Sequence, residues 1–197
     1  GVTDLGRRAG ASASELYALA RVGALGPSRR DAMWQALALD ADRGLLAGTV
    51  PDGSDPAVPP MDETARIQAD FDGLGLTTGT HPVALLRESL DRARVTRAAD
   101  VPALPDGRTV RVAGMAIVRQ RPRTAKGFVF LTLEDETGLV NLAVTPDRFR
   151  EHRALLSTEP FLWVEGPVQN REGVVTVRVE RCRALAGAVR HDGRNFH

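Results

Sequence analysis

The chain has 197 residues, of which 43% are hydrophobic and 26% are charged, and its formal net charge is +1. This composition is typical of a globular protein with one or two domains and excludes a disordered or fibrous chain. It contains no apolar run of about 18 residues and no basic segment leading into an apolar one, so we expect neither a membrane span nor a signal peptide. The single cysteine, Cys182, excludes an internal disulfide and thiolate zinc clusters, and it favours the cytoplasm.

Residues 1–46 have the pattern of short helices. Ser12 and Glu15 have the spacing of a capping box, which predicts the start of a helix. Farther along, Gly23 and Gly26 permit the positive φ angles of a tight turn between two helices. Two small helices joined by a glycine turn predict a helix-hairpin-helix-like module.

The same glycine turn is a second candidate contact for nucleic acid. Gly23 and Gly26 would leave backbone amides free to hold a phosphate, and Arg29 and Arg30 would add positive charge. A turn that only packs two helices together explains these residues equally well.

The middle of the chain differs in composition. Residues 47–62 contain four prolines and few apolar side chains, which indicates a linker. We expect residues 63–106 to form a helical connector, in which His81 caps a helix that begins at Pro82. Residues 187–197 are expected to form a C-terminal tail.

From residue 107 to 186 the hydrophobic pattern has a period of two, which indicates strands. A helix is expected after the third strand, beginning at Thr145. The predicted strands are Val110–Val118, Phe128–Leu133, Leu139–Val144, Phe161–Val168 and Val174–Val179. Three strands, a helix and two strands are the order of the five-stranded oligonucleotide/oligosaccharide-binding (OB) barrel. The predicted fold class is therefore α+β, with a helical region followed by an OB barrel.

A basic stretch around the first inter-strand loop is the strongest functional signal. In an OB barrel this loop and the face of the second and third strands bind the ligand. If alternate residues of these strands point inward, two phenylalanines and two polar residues point outward. The candidate nucleic-acid-binding residues are Arg111, Arg119, Arg121, Arg123, Lys126, Phe128, Phe130, Thr132 and Asn141. Cations that follow phosphates beside rings that stack on bases predict a groove for single-stranded nucleic acid. Alternatively, the arginines form a solvated edge and another domain covers the rings.

Catalytic and metal signals are weak. Glu134, Asp135 and Glu136 lie where a hairpin turn needs polar residues, and the four histidines have no ligand spacing to one another. No phosphate-binding loop, nucleophile elbow or zinc-protease motif is present in the sequence. We therefore expect no catalytic residue, no metal and no cofactor in this chain.

Several segments resemble one family. These segments are Ser28–Trp34, His81–Val83, Arg119–Pro122, Ala125–Gly127, Phe130–Asn141 and Asn195–His197. Together they resemble the C-terminal region of bacterial class C DNA polymerases, most closely the error-prone, damage-inducible ImuC type. The resemblance covers the chain essentially from residue 2 to residue 197.

The resemblance implies a C-terminal fragment of a polymerase that extends DNA during translesion synthesis. The family's catalytic carboxylates, which use Mg²⁺, lie in a palm domain upstream, so this fragment is not expected to polymerise. The OB domain would bind the single-stranded template, and Lys126 with its neighbouring arginines matches the family's cationic loop. The implied partner is an ImuB-type scaffold protein, which links the complex to the sliding clamp, and the implied location is the nucleoid in the cytoplasm.

Two alternatives remain open from the sequence. The chain could be a protein-interaction module that docks the ImuB partner or the polymerase body. It could also be the anticodon-binding OB domain of a tRNA synthetase, in which a turn similar to Leu133–Asp135 occurs. The helical region before the barrel argues against the second alternative.

Overall fold

A computed structural model describes residues 1–41 and 58–187. The chain divides into two compact units between Thr78 and Gly79. The predicted helical connector is therefore shared between the two units. Most of the predicted linker, and the predicted tail from residue 188 with its Asn195–His197 motif, lie outside the described residues.

The first unit is helical. Its described elements are α1 (Val2–Ala9), α2 (Ala13–Arg21), α3 (Arg29–Ala41) and α4 (Glu63–Leu74). The predicted capping box is confirmed, because the Ser12 backbone amide donates to Glu15 at 2.8 Å and the Glu15 amide donates to the Ser12 hydroxyl at 3.3 Å. Leu16, Ala20 and Ala36 are fully buried and form the centre of a small core between the helices.

The second unit contains two 3₁₀ helices, three short α-helices and a six-stranded sheet. In chain order the elements are a 3₁₀ helix (Pro82–Leu86), α5 (Arg87–Arg92), a 3₁₀ helix (Ala98–Ala103), β1 (Thr109–Gln120), β2 (Val129–Asp135), β3 (Gly138–Val144), α6 (Pro146–Glu151), α7 (Arg153–Thr158), β4 (Phe161–Arg171), β5 (Val174–Arg178) and β6 (Arg181–Ala184). His81 caps the first 3₁₀ helix as predicted, since its Nδ1 accepts from the Val83 amide at 3.2 Å. None of the helices in the described part of the chain has the length and apolar character needed to cross a membrane.

Strand β1 closes the barrel because it pairs with two neighbours. Its first half is antiparallel to β4, and its second half is antiparallel to β2. The strands form the closed ring β1–β2–β3–β5–β4–β1, in which only the β3–β5 pair is parallel. At Gly114, next to the change of partner, a Cβ would lie 2.5 Å from the Glu134 carbonyl oxygen, so only glycine permits this close approach of the two backbones. The predicted OB barrel is confirmed.

The barrel core follows the predicted alternation. The inward-facing residues of β2 and β3 are 0–5% exposed, and they are Val129, Leu131, Leu133, Val140, Leu142 and Val144. Phe130 and Asn141, which alternate with them, are exposed. Because side chains on a strand alternate between faces, this core determines which residues of β2 and β3 face outward.

The structure differs from the prediction in two places. The helix expected after Thr145 is two short helices, α6 and α7, because the backbone leaves the helical conformation at His152 (φ −112°, ψ 24°). A sixth strand, β6, was not predicted; among the described strands it pairs only with β4, and it contains Cys182. Four residues with little apolar alternation give too weak a pattern to identify such a strand.

Asp135 is a buried carboxylate of the barrel, only 4% exposed. Its Oδ1 accepts from the Thr137 amide at 2.7 Å and the Gly138 amide at 3.1 Å, which fixes the β2–β3 turn. Its Oδ2 accepts from the Ala98 amide at 2.9 Å and from Arg87 Nη2 at 3.2 Å. One carboxylate therefore joins the turn to the segment that precedes the barrel, a role that sequence analysis had not separated from an ordinary polar turn.

Replacing Asp135 with alanine should lower the free energy of unfolding by about 3 kcal/mol, because the buried Ala98 amide and the amides of the turn lose their acceptor and Arg87 loses one of its carboxylate partners. Urea unfolding followed by circular dichroism measures this change. The matched control is Asp147→Ala, whose ion pair with Arg150 lies between side chains that are 83% and 78% exposed, so its loss should have a much smaller effect. Equal midpoints for the two variants would contradict a structural role for Asp135.

Candidate nucleic-acid interface

An open groove of about 560 Å³ lies on the outer face of the barrel. It runs from the loop between β1 and β2, across β2, β3 and β5, to the β4–β5 hairpin. Its lining residues are Thr124, Ala125, Lys126, Phe128, Phe130, Ala143, Thr145, Gln169, Arg171, Val174, Thr176 and Arg178. This is the face on which OB barrels bind oligonucleotides.

The strand register sets the order of side chains across the groove. Phe130 of β2 is paired with Ala143 of β3, and Ala143 is paired with Arg178 of β5. The small alanine therefore lies between an aromatic ring and a guanidinium group. On the neighbouring strands, Thr176 is paired with Gln169, and both line the same groove.

Two tight turns form the ends of the groove. In the first, Lys126 and Gly127 have φ angles of 50° and 86°, and the Phe128 amide donates to the Ala125 carbonyl at 2.9 Å. In the second, Glu172 and Gly173 have φ angles of 52° and 83°. Positive φ at both central residues is the geometry of the type I′ turn, which matches the twist of the flanking strands.

The groove carries positive charge. Among the described residues that line it, three are cationic, Lys126, Arg171 and Arg178, and none is a carboxylate. Arg178 is partly compensated, since it donates to Glu180 at 2.9 Å while more than two fifths of each side chain remains exposed. Cations on both sides of an aromatic surface favour a ligand that has negative charge and flat rings.

The structure brings part of the predicted site together. Lys126, Phe128 and Phe130 line the groove as one cluster. Thr132 and Asn141 form the next pair across β2 and β3, where the Thr132 hydroxyl donates to Asn141 Oδ1 at 3.0 Å. This polar pair faces outward beside the groove but is not part of its lining.

The predicted arginines of the β1–β2 loop have different surroundings. The Arg121 guanidinium lies 5.4 Å from the centre of the Phe149 ring of α6, within the range of a cation–π interaction. Arg123 is exposed in the same loop. Neither residue is among those that line the groove.

Arg119 is held by the protein backbone. Its guanidinium donates to the carbonyl oxygens of Leu156 at 3.0 Å and Ala116 at 3.2 Å, and also to that of Glu159. Partial burial lowers the pKa of Arg119 below its ordinary value. These contacts oppose the phosphate-binding role predicted for Arg119, because its hydrogen bonds already connect β1 to the end of α7.

Arg111 lies near the other end of β1. At eight positions from Arg119, it is about 26 Å away along the strand. Its Nε donates to Glu165 Oε2 at 2.7 Å, and this contact lowers the pKa of the Glu165 carboxyl. The structure therefore does not bring Arg111 into the groove with Lys126.

The glycine turn of the first unit has the predicted backbone but a different charge arrangement. Gly23 and Gly26 have φ angles of 83° and 133°. Arg29 packs over Gly23, where an added Cβ would lie 2.9 Å from its Nε, and it donates to Asp70 at 2.6 Å. This buried ion pair opposes the phosphate-binding role predicted for Arg29. Arg30, the other arginine predicted at that turn, is half-buried.

The far wall of the groove was not predicted from the sequence. Gln169, Arg171, Thr176 and Arg178 come from β4 and β5, about 40 residues or more beyond the loop that was singled out. A usable signal was present, because Arg171 lies in the turn between the last two predicted strands. In OB barrels the loop between strands four and five contributes to ligand binding together with the first loop.

The other candidate chemistries have no matching geometry. Within residues 1–41 and 58–187, no three His, Cys, Asp or Glu side chains are grouped as metal ligands. Burial raises the pKa of the Cys182 thiol to about 11, so the thiol is protonated near neutral pH. Thiolate chemistry needs the deprotonated form.

Comparison with known proteins agrees with this geometry. The tRNA anti-codon family model, described as an OB-fold nucleic acid binding domain, matches residues 110–185. The matched segment extends from β1 through β6 and includes every residue that lines the groove.

Curated relatives match this chain over 98–100% of its length. The error-prone DNA polymerase of Anaeromyxobacter sp. (strain K) is 45% identical over 202 residues, which cover 100% of this chain and 18% of that protein. The error-prone DNA polymerase of Mycolicibacterium paratuberculosis is 41% identical, covering 98% of this chain and 18% of that protein. The chain therefore spans less than a fifth of the length of these relatives. Among solved structures, the asparaginyl-tRNA synthetase of Pyrococcus horikoshii is 24% identical over 50% of this chain and 23% of that chain, with a TM-score of 0.41.

Replacing Arg119 with alanine should lower the free energy of unfolding by about 1.5 kcal/mol, because three carbonyl groups lose a charged donor. The salt dependence of single-stranded DNA binding should remain unchanged. Urea unfolding and fluorescence anisotropy measure the two properties, and exposed Arg123→Ala is the stability control. A smaller salt dependence with unchanged stability would assign Arg119 to phosphate binding instead.

Proposed function

We propose that this chain, which is related along its full length to the C-terminal part of proteins named error-prone DNA polymerase, holds the single-stranded DNA template for the polymerase. One observation carries the proposal. Phe128 and Phe130 share an open groove with Lys126, Arg171 and Arg178 on the ligand-binding face of an OB barrel.

This arrangement suits an unpaired strand better than a duplex. In a duplex the base faces are stacked on each other, whereas an unpaired strand exposes them to aromatic side chains. Phe130 is 37% exposed, so part of its ring surface is accessible. The cations lie on both sides of the rings, where they would meet the phosphates of a strand that crosses β2, β3 and β5.

The relatives give this binding activity its context. Similarity over the whole chain to DNA polymerases favours DNA over tRNA as the ligand. We propose that the parent protein extends DNA past lesions after DNA damage and acts at the nucleoid in the cytoplasm. We place its Mg²⁺-dependent catalysis in the part of the polymerase that this chain does not cover, so that the chain itself contributes binding and no catalysis.

A second candidate function is supported by the surface of the first unit. Trp34 and Leu37 are one helical turn apart on α3, and they are 50% and 53% exposed. Exposed tryptophan and leucine side chains on one helical face are typical of protein contacts. We propose that this face docks an ImuB-type scaffold protein, which would connect the polymerase to the sliding clamp.

Replacing Phe130 with alanine should weaken single-stranded DNA binding by about 1–3 kcal/mol, the range for loss of one base–aromatic stack. The slope of log affinity against log salt should stay constant, because no charge changes. Fluorescence anisotropy titrations at several salt concentrations measure both quantities. The matched control is Leu139→Ala, which removes another exposed apolar side chain of the barrel and should leave affinity unchanged.

A variant that removes charge should instead change the slope of log affinity against log salt. Lys126→Gln with Arg171→Gln should reduce the salt slope by about 0.7 for each phosphate contact that is lost. Absence of DNA binding by the unmodified chain at low salt would defeat the proposed function. A Phe130→Ala variant that binds as tightly as the unmodified chain would remove stacking from it.

Trp34→Ala with Leu37→Ala should reduce capture of a purified ImuB-type protein at least about tenfold, because aromatic anchors dominate such contacts. DNA binding by the same variant should be unchanged. Leu74→Ala is the matched control, as it removes another half-exposed leucine of the first unit. Equal capture by all three proteins would remove this face as the docking surface.

A further inference from the structure

A second concave surface on the barrel unit is strongly basic. It is a cleft of about 260 Å³ between the segment before the barrel and the outer edge of β1. Arg94, Arg108 and Arg111 line it together with Thr96, Thr109 and Glu165. Three guanidinium groups therefore face one carboxylate, beside two side chains that can donate hydroxyl hydrogen bonds.

The single carboxylate of the cleft is already engaged. Glu165 accepts from Arg111 at 2.7 Å through one oxygen and from Arg181 at 3.2 Å through the other. Arg111 also donates to the Ala93 carbonyl at 3.3 Å, so its position is fixed. Among the described residues, Arg94 and Arg108 form no ion pair, and their charges are left for a ligand or for solvent.

The backbone at Arg94 is unusual for an arginine. It has a φ angle of 56° just beyond the end of α5, where its amide donates to the Asp91 carbonyl and the Val95 amide donates to the Leu90 carbonyl. Glycine is the usual residue at this left-handed position, because a Cβ is disfavoured there. The backbone of Arg94 is therefore locally strained, and strained backbone positions are concentrated at functional sites.

The cleft and the groove are connected through one face of β4. Glu165 lies in the cleft and Gln169 in the groove, and the even spacing between them places both on the same face of the strand. Four residues of strand correspond to about 13 Å. A single strand of nucleic acid that leaves the groove past Gln169 would reach the cleft after about this distance.

We propose that the cleft formed by Arg94, Arg108 and Arg111 is a second phosphate-binding site, which holds a phosphodiester group of the strand whose bases lie in the groove. This inference rests on the proposed function and extends it, since it adds a contact outside the aromatic face. The recognised chemistry is a phosphate oxyanion, bound by guanidinium groups that suit its geometry. Free phosphate ions offer the same chemistry, and the experiment separates the two sources.

The test compares oligonucleotides of about four and about twelve nucleotides, which span the range of site sizes for OB barrels. The variant Arg94→Gly with Arg108→Ala removes both unpaired charges, and glycine at position 94 relieves the backbone strain, so the barrel should remain folded. For the longer oligonucleotide, the salt slope should fall by about 1.4, the value for two lost phosphate contacts on a single strand. For the shorter one, which fills only the groove, affinity and slope should stay the same.

The control is Arg92→Ala with Arg153→Ala, which removes equal charge from two exposed arginines outside both linings and should leave the slope nearly unchanged. If the unmodified chain binds the longer oligonucleotide and the cleft variant has the same salt slope, the cleft is not a phosphate site. The proposed role of the groove would be unaffected by that result. No binding by the unmodified chain would instead defeat the proposed function.

Chemical-shift mapping of Arg94 and Thr109 then separates the two sources of phosphate. The longer oligonucleotide should shift these amides at concentrations where inorganic phosphate does not. Equal shifts from inorganic phosphate, at matched phosphate concentration, would overturn the assignment to a strand.

Discussion

The closure of the barrel through β1 is the constraint on which the rest of the second unit depends. β1 pairs with β4 along its first half and with β2 along its second half, and glycine at position 114 allows the backbones to approach closely where the partner changes. Once the ring is closed, alternate residues of each strand enter the core, and their neighbours are committed to the outer surface. The groove, the polar pair beside it and the basic cleft all lie on that outer surface.

The position of a cation relative to the strands decides whether it is free to bind a ligand. Arg119 and Arg111 lie within β1, where neighbouring carbonyl and carboxylate groups are close enough to accept their hydrogen bonds. Lys126 and Arg171 lie at the two tight turns, and both line the groove. The cations therefore divide into arginines that bind other groups of the protein and cations that line the groove, and only the fold separates them.

The proposed template contact, made by two rings and a few cations, would be weak if it acted alone. Within a polymerase its effect would be larger, because a tethered site engages its strand at a high effective concentration. The chain spans 18% of the length of the relative from Anaeromyxobacter sp. (strain K), so a protein of that length would contain more than four times as much additional chain beside the proposed binding site. This division suits an OB barrel, whose outer face can change its ligand contacts without altering the core.

Much of the barrel could be predicted from the sequence, because a two-residue period, the start of a helix at Thr145 and turn residues are local properties. The alternation along β2 and β3 also identified Phe130 as outward-facing and Leu131 as buried. The helix break at His152 and the short strand β6 could not be predicted, because tertiary packing overrides a weak local pattern there. The predicted aromatic side of the groove, with Lys126, is present as one cluster in the structure.

The sequence by itself determined that this chain contains an OB barrel with basic loops, since periodicity and charge are visible along one dimension. Only the tertiary structure decided which cations are accessible. Arg29 meets Asp70 and Asp135 meets Arg87 across more than 40 residues of chain, and such pairings depend on how separate elements pack. The far wall of the groove has the same origin, because Arg178 lies beside Ala143 only through the parallel pairing of β3 and β5, two strands that do not follow one another in the chain.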